Sequence, residues 1–117
     1  MSLTPPSWKV RIQHVLESIE RCQDHVRGLT EEQLGADART LDAVAWRLTI
    51  IGEAARHIPD EVTARYAEVP WAQMRGMRNH IVHGYDQIDL EIVWEVVTRD
   101  LPPLVPHLER ILKEAVE

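Results

Sequence analysis

The sequence predicts an all-α fold, a four- to five-helix antiparallel bundle with a kinked C-terminal helix, and three observations carry that reading. Apolar residues recur at helical spacing over long stretches, no alternating strand pattern persists, and proline and glycine divide the chain into helix-length pieces. Amphipathic helices joined by short connections bury their stripes against one another.

Each element can be justified in order. Ile12, Val15, Leu16, Ile19, Cys22 and Val26 form one stripe, preceded by Pro5 and Pro6 and ended by Gly28. Thr30 followed by Gln33 has the spacing of a capping box for a short helix. A second long helix is expected from about Thr40 to His57, with Leu41, Val44, Ala45, Leu48, Ile51, Ala55 and Ile58 on its stripe and Pro59 as its stop. A short helix follows around Glu61 to Tyr66, before the Val69-Pro70-Trp71 break. The next helix is expected to begin near Trp71 and end at Gly84, since glycine favours the helix C-terminus. Asp89 is placed to cap the last helix, whose stripe includes Leu90, Val93, Trp94, Val97 and Leu101. Pro102, Pro103 and Pro106 must kink or interrupt it.

Composition sets the outer bounds. At 117 residues and 44% apolar content, residues 1–117 read as one globular domain. The apolar runs are too short to span a bilayer, and the N-terminus lacks the basic and apolar blocks of a signal peptide. Cys22 is the lone cysteine, so no internal disulfide forms, and the expected location is the cytoplasm. A net charge of −6 argues against general coating of nucleic acid, which depends on neutralising phosphates. A local basic site remains compatible with it, because Arg47, Arg56, Arg65, Arg75 and Arg78 fall between positions 47 and 83.

The segment Arg75-Gly76-Met77-Arg78-Asn79-His80-Ile81-Val82-His83-Gly84-Tyr85 concentrates chemistry in what reads as three helical turns. Its apolar stripe is thin for a helix that serves packing alone. Arginine can hold a phosphate with two hydrogen bonds, and histidine exchanges a proton near neutral pH. Together they could cleave a phosphodiester without a metal. On a regular helix Asn79 and His83 would share a face, while Arg78 and His83 would project about 140° apart. A frayed helix end, the length of the arginine, or a symmetric pair of chains would each bring the last two together. The third option favours a composite site in a homodimer, and twofold dimers are the commonest oligomers. A plainer reading makes Arg78 a surface ion-pairing residue, His83 a helix cap and Tyr85 a packing aromatic.

The pattern of Arg78, four residues, His83, one residue and Tyr85 resembles the signature of the HEPN superfamily in its HepT-like toxin branch. Ile50-Ile51-Gly52-Glu53-Ala54-Ala55, Pro70-Trp71, Gly76-Met77-Arg78-Asn79 and Asp89-Leu90-Glu91-Ile92-Val93-Trp94 resemble that family in order and spacing. The resemblance implies an all-α homodimeric, metal-independent endoribonuclease needing no cofactor, the toxin of a type II or type VII toxin–antitoxin pair. It puts Arg78 and His83 at the catalytic positions and Asn79 at the supporting polar position. Tyr85 falls at the tyrosine to which a partner MNT-type nucleotidyltransferase, the antitoxin, transfers AMP. His80 lies in the variable interval and receives no role.

Mechanistically, the ribose 2′-hydroxyl would attack the adjacent phosphorus, His83 would exchange the proton, and Arg78 would hold the charged phosphoryl oxygens. Asn79 could orient His83 one turn along the same face. A metal alternative would use Glu53, His57, His80 and His83, but the Glu-x-x-His repeat of di-iron bundles is missing. Gly52 reads as a point of close helix packing, and Glu53 as the partner of a nearby arginine or as a support of the motif helix through a buried hydrogen bond. Trp8, Trp46, Trp71 and Trp94 read as core or interface anchors, with Trp71 the best placed of the four to stack on a base. The competing function is a non-catalytic HEPN partner or substrate-binding subunit of a nucleotidyltransferase, since one fold hosts several functions.

Overall fold

The computed structural model describes residues 7–84 and 86–114. Two 19-residue helices, α1 (Trp8–Val26) and α3 (Ala38–Arg56), pack along each other and form the scaffold. Ile12, Val15, Ile19 and Cys22 of α1 meet Val44, Leu48, Ile51 and Ala55 of α3 in one buried apolar cluster. Burial pushes the Cys22 thiol up to about 12, against a smaller downward pull from Arg47. Between them α2 (Glu31–Ala36) is closed at its start by the expected reciprocal bonds of Thr30 and Gln33. Asp37 caps α3 by accepting the Thr40 amide.

After α4 (Asp60–Arg65) the chain turns through Pro70 into two five-residue helices, α5 (Trp71–Arg75) and α6 (Met77–Ile81). Both lie on α3. Gly52 is the seat of that contact: a Cβ there would stand 3.1 Å from the Met74 carbonyl oxygen and 3.4 Å from the Met77 Cβ. The close packing expected at Gly52 is therefore present, and a Cβ there would press on the Met74 carbonyl oxygen.

The helix expected from Trp71 to Gly84 is not continuous. It breaks at Gly76 and stops at Ile81, three residues early. Val82 is extended, and β1 (Val82–His83) pairs antiparallel with β2 (Gln87–Ile88), Val82 opposite Ile88. Gly84 adopts φ +70° in the connecting turn, so its left-handed freedom serves a hairpin and not a helix end. The Asp89 amide closes the unit by donating to the Ile81 carbonyl at 2.8 Å. Branched residues at 81 and 82 favour this extended exit. His83 thus leaves a strand, and the helical angles that related it to Arg78 and Asn79 do not apply.

The kink near the prolines takes a specific form. α7 (Leu90–Glu95) widens into a π-helical turn over Val96–Asp100, where the Leu101 amide donates to the Val96 carbonyl at 2.9 Å. Pro102 and Pro103 cannot donate to the carbonyls one turn back, and their rings crowd that turn. The chain restarts as α8 (Leu104–Glu114), with Pro106 in the first turn, where a missing amide donor costs least. The all-α bundle expected from the sequence is observed, its scaffold long and its motif segment built of short pieces.

Candidate active site

α3 and the α5–α6 segment enclose a small polar cleft of about 140 Å³, lined by Thr49, Gly52, Glu53, Arg56, Arg75, Arg78 and Asn79. The three arginines are not equivalent. Arg75 donates from Nε to the Ala55 carbonyl at 3.2 Å and from Nη2 to the Ile58 carbonyl at 3.2 Å, and Asp60 lies 3.7 Å away. It therefore closes the C-terminal end of α3, where carbonyls lack helical partners, and a cation suits that end. Arg78 and Arg56 are exposed, and among the described residues neither has a carboxylate within 4 Å. Glu53 shares the cleft but is likewise without an ion pair there, so the pairing expected of it is not formed. Two uncommitted guanidiniums facing one cleft form a ready anion site.

His83 stands on the hairpin beside this cleft in sequence but outside its lining. Its side chain is 63% exposed, and its Nε2 lies 2.7 Å from Asp89 Oδ2. The other Asp89 oxygen, Oδ1, accepts the Ile92 amide at 3.0 Å and caps α7. The Ile92 amide and the His83 contact together hold the Asp89 carboxyl below the usual carboxylate range.

Sequence reasoning named Arg78, Asn79 and His83, and the fold brings two of them together. Arg78 and Asn79 line the cleft, while His83 shares no hydrogen bond with either among the described residues. The side chain that meets the His83 ring is Asp89, where Asn79 was expected. Its capping role was legible from the sequence, but its bond to His83 was not. The signal was a carboxylate six residues after a histidine, across a glycine-containing turn. Tyr85 lies outside the described residues. Trp71, expected as the tryptophan best placed for stacking, is buried at 6% exposure and donates from Nε1 to the Tyr66 carbonyl at 3.0 Å. Trp46 is the exposed one, at 62%. Among the described residues no three histidine, cysteine or acidic side chains gather as metal ligands, and Glu53, His57, His80 and His83 do not converge.

A family model described as "Ribonuclease HepT-like" matches residues 15–111, most of the chain and all of the cleft and hairpin. The chain belongs to this family. Its assignment to the HepT-like ribonucleases, within the HEPN superfamily, makes it a ribonuclease by class and fits the all-α architecture. It is 33% identical over 107 residues to a "Probable ribonuclease HepT" of Thermococcus cleftensis, covering 92% of this chain and 97% of that protein. It is 35% identical over 106 residues to the "Gamma-glutamylcyclotransferase and putative RNase" of Methanocaldococcus jannaschii. That match covers 91% of this chain but 48% of the relative, so the chain spans about half of that longer protein. No solved structure gives a significant match to this HepT-like chain. No helix among the described residues is long and apolar enough to cross a membrane.

Proposed function

We propose that the protein is a metal-independent endoribonuclease acting as a homodimer, the toxin of a toxin–antitoxin pair. The observation that supports it most is the pairing of an uncommitted Arg78, facing a polar cleft, with an exposed, carboxylate-tethered His83 a few residues away. In the reaction the 2′-oxygen forms a bond to phosphorus while the bond from phosphorus to the 5′-oxygen breaks. The products are a 2′,3′-cyclic phosphate and a free 5′-hydroxyl. His83 takes the 2′-hydroxyl proton, water protonates the departing 5′-oxygen, and Arg78, with Arg56 of the same cleft, binds the phosphoryl oxygens as their charge grows. DNA lacks the attacking hydroxyl and is not cut. The homodimer reading rests on the family resemblance and on His83 standing outside the lining of the cleft that Arg78 faces. Two chains about a twofold axis offer each arginine a second histidine.

Regulation in this reading falls to Tyr85, which an MNT-type nucleotidyltransferase labels with AMP. The added phosphate competes for Arg78, and the nucleoside obstructs the strand.

The deciding experiment is RNA cleavage by purified protein in the presence of a chelator. Cleavage is expected to persist, and Arg78→Ala and His83→Ala are each expected to lower it by about 10²- to 10⁴-fold with unchanged helicity. Wild-type rates in the histidine variant remove His83 from the mechanism, and loss on chelation restored by a divalent metal overturns the metal-free scheme. An inert protein that still binds a nucleotidyltransferase moves the chain to the partner-subunit class. For regulation, Tyr85→Phe is expected to cleave RNA but gain no AMP adduct by intact mass. A full adduct on that variant places the modification elsewhere.

A further inference from the structure

We infer that Asp89 is a positioning residue that fixes the tautomer of His83, so that Nδ1 is the nitrogen that exchanges a proton with RNA. This rests on the reading of His83 as the proton-transfer group. Three features of the site carry it. First, the contact is specific to one ring nitrogen, Nε2 to Asp89 Oδ2 at 2.7 Å. A carboxylate only accepts hydrogen bonds, so Nε2 must carry a hydrogen and Nδ1, in the neutral ring, is left as the acceptor. Second, Asp89 cannot turn away. Its other oxygen is committed to the Ile92 amide at 3.0 Å, and its own amide donates to the Ile81 carbonyl at 2.8 Å. The carboxylate is thus aimed by the start of α7 and by the exit of α6. Third, the histidine side chain is 63% exposed while the aspartate is 24% exposed, so the ring is open to solvent to a greater extent than the carboxylate that holds it.

The other charged or titratable groups on the surrounding elements, among the described residues, are Arg78 and His80 of α6, Asp86 of the hairpin, and Glu91 and Glu95 of α7. Asp89 is the acidic residue within 4 Å of the imidazole among the described residues. When Nδ1 accepts the 2′-hydroxyl proton the ring becomes a cation, and the carboxylate 2.7 Å from Nε2 stabilises that charge without taking the proton itself. One residue therefore joins two tasks. It caps the helix that anchors the hairpin, and it holds the base in the form that can act.

The substitution that separates the tasks is Asp89→Asn. Asparagine caps helices as well as aspartate does, so its amide oxygen keeps the Ile92 amide. Its NH2 group then faces Nε2 and donates to it, which forces the hydrogen onto Nδ1. In Ser-His-Asp triads the same swap preserves geometry and lowers kcat by about 10⁴-fold through the wrong tautomer. Here kcat is expected to fall by about 10²-fold or more, with KM little changed and the thermal midpoint near wild type. Nitrogen NMR of histidine-labelled protein is expected to show neutral His83 protonated on Nε2 in wild type and on Nδ1 in the variant. Asp89→Ser, which caps but cannot reach the ring, is expected to lose kcat as well. Wild-type kcat in Asp89→Asn, or an Nδ1-protonated His83 in the wild-type protein, overturns the proposal. So does a kcat loss confined to Asp89→Ser and accompanied by a lower midpoint, because it assigns the cap alone. Full cleavage by His83→Ala instead defeats the reading of His83, and the NMR measurement still tests the tether.

Discussion

The α1–α3 scaffold and the segment from α5 to β2 obey different physics in the same small molecule. The scaffold is two 19-residue helices with continuous buried stripes, held by apolar area. The functional segment is two five-residue helices and a two-residue hairpin, none long enough to persist alone. It is held by a few anchors, Trp71, Met74, Met77 and Ile81, and by directed hydrogen bonds from the Arg75 guanidinium and the Asp89 amide. Between those anchors its surface is free to expose Arg78, Asn79, His80 and His83. The lesson is that reactive side chains need not weaken the core when their segment anchors itself through a few buried residues and turns the others outward.

The comparison is broken most severely from the scaffold side. Ile51→Ala removes a fully buried side chain of α3 one residue from the Gly52 seat, and a cost of about 2–5 kcal/mol is expected. Urea unfolding measures it, and a loss under about 1 kcal/mol would show that α3 does not carry the fold. Next come the two arginines, three residues apart and opposite in role. Arg75→Ala removes two hydrogen bonds, to the Ala55 and Ile58 carbonyls, and is expected to cost about 1–3 kcal/mol. Arg78→Ala, exposed and without an ion pair, is expected to fall within about 0.5 kcal/mol of wild type while cleavage collapses. Equal stability losses in the two variants would erase the distinction between tether and working cation.

The smallest effect is acid sensitivity. Asp89 and Asp37 are both held below the ordinary carboxylate range, Asp89 first by the Ile92 amide and then by His83, Asp37 by the Thr40 hydroxyl and amide. A carboxyl lowered in the folded state stabilises it above the unfolded value near 3.9, and that contribution disappears as pH falls through the folded value. Thermal midpoints should therefore drop below about pH 4, and Asp89→Asn should flatten that drop. A variant with an unchanged slope would show that the cap and tether do not depend on ionisation.

The sequence by itself determined the fold class, and for a plain reason. The stripes of the α1 and α3 helices, the capping box Thr30–Gln33 and the Asp89 cap are interactions between residues at most a few turns apart, so periodicity and spacing encode them. The same holds for the interruption at Pro102 and Pro103 and for the choice of Arg78, Asn79 and His83 as residues to watch. Tertiary structure decided the rest. The helical reading of residues 82–84 failed because Gly84 fits a helix end and a hairpin turn equally well, and pairing with Ile88 selects between them. Trp71 is buried because α5 lies on α3, which no stripe count reveals, while Trp46, off the buried stripe of α3, is exposed. Arg75 and Arg78 read alike in the chain and diverge only because the open carbonyl end of α3 reaches one of them. His83 found Asp89, and not Asn79, because the hairpin folds back and places the start of α7 beside the imidazole. Local spacing fixes what a segment can form, and contacts across the fold choose which side chains are spent on structure and which are left for chemistry.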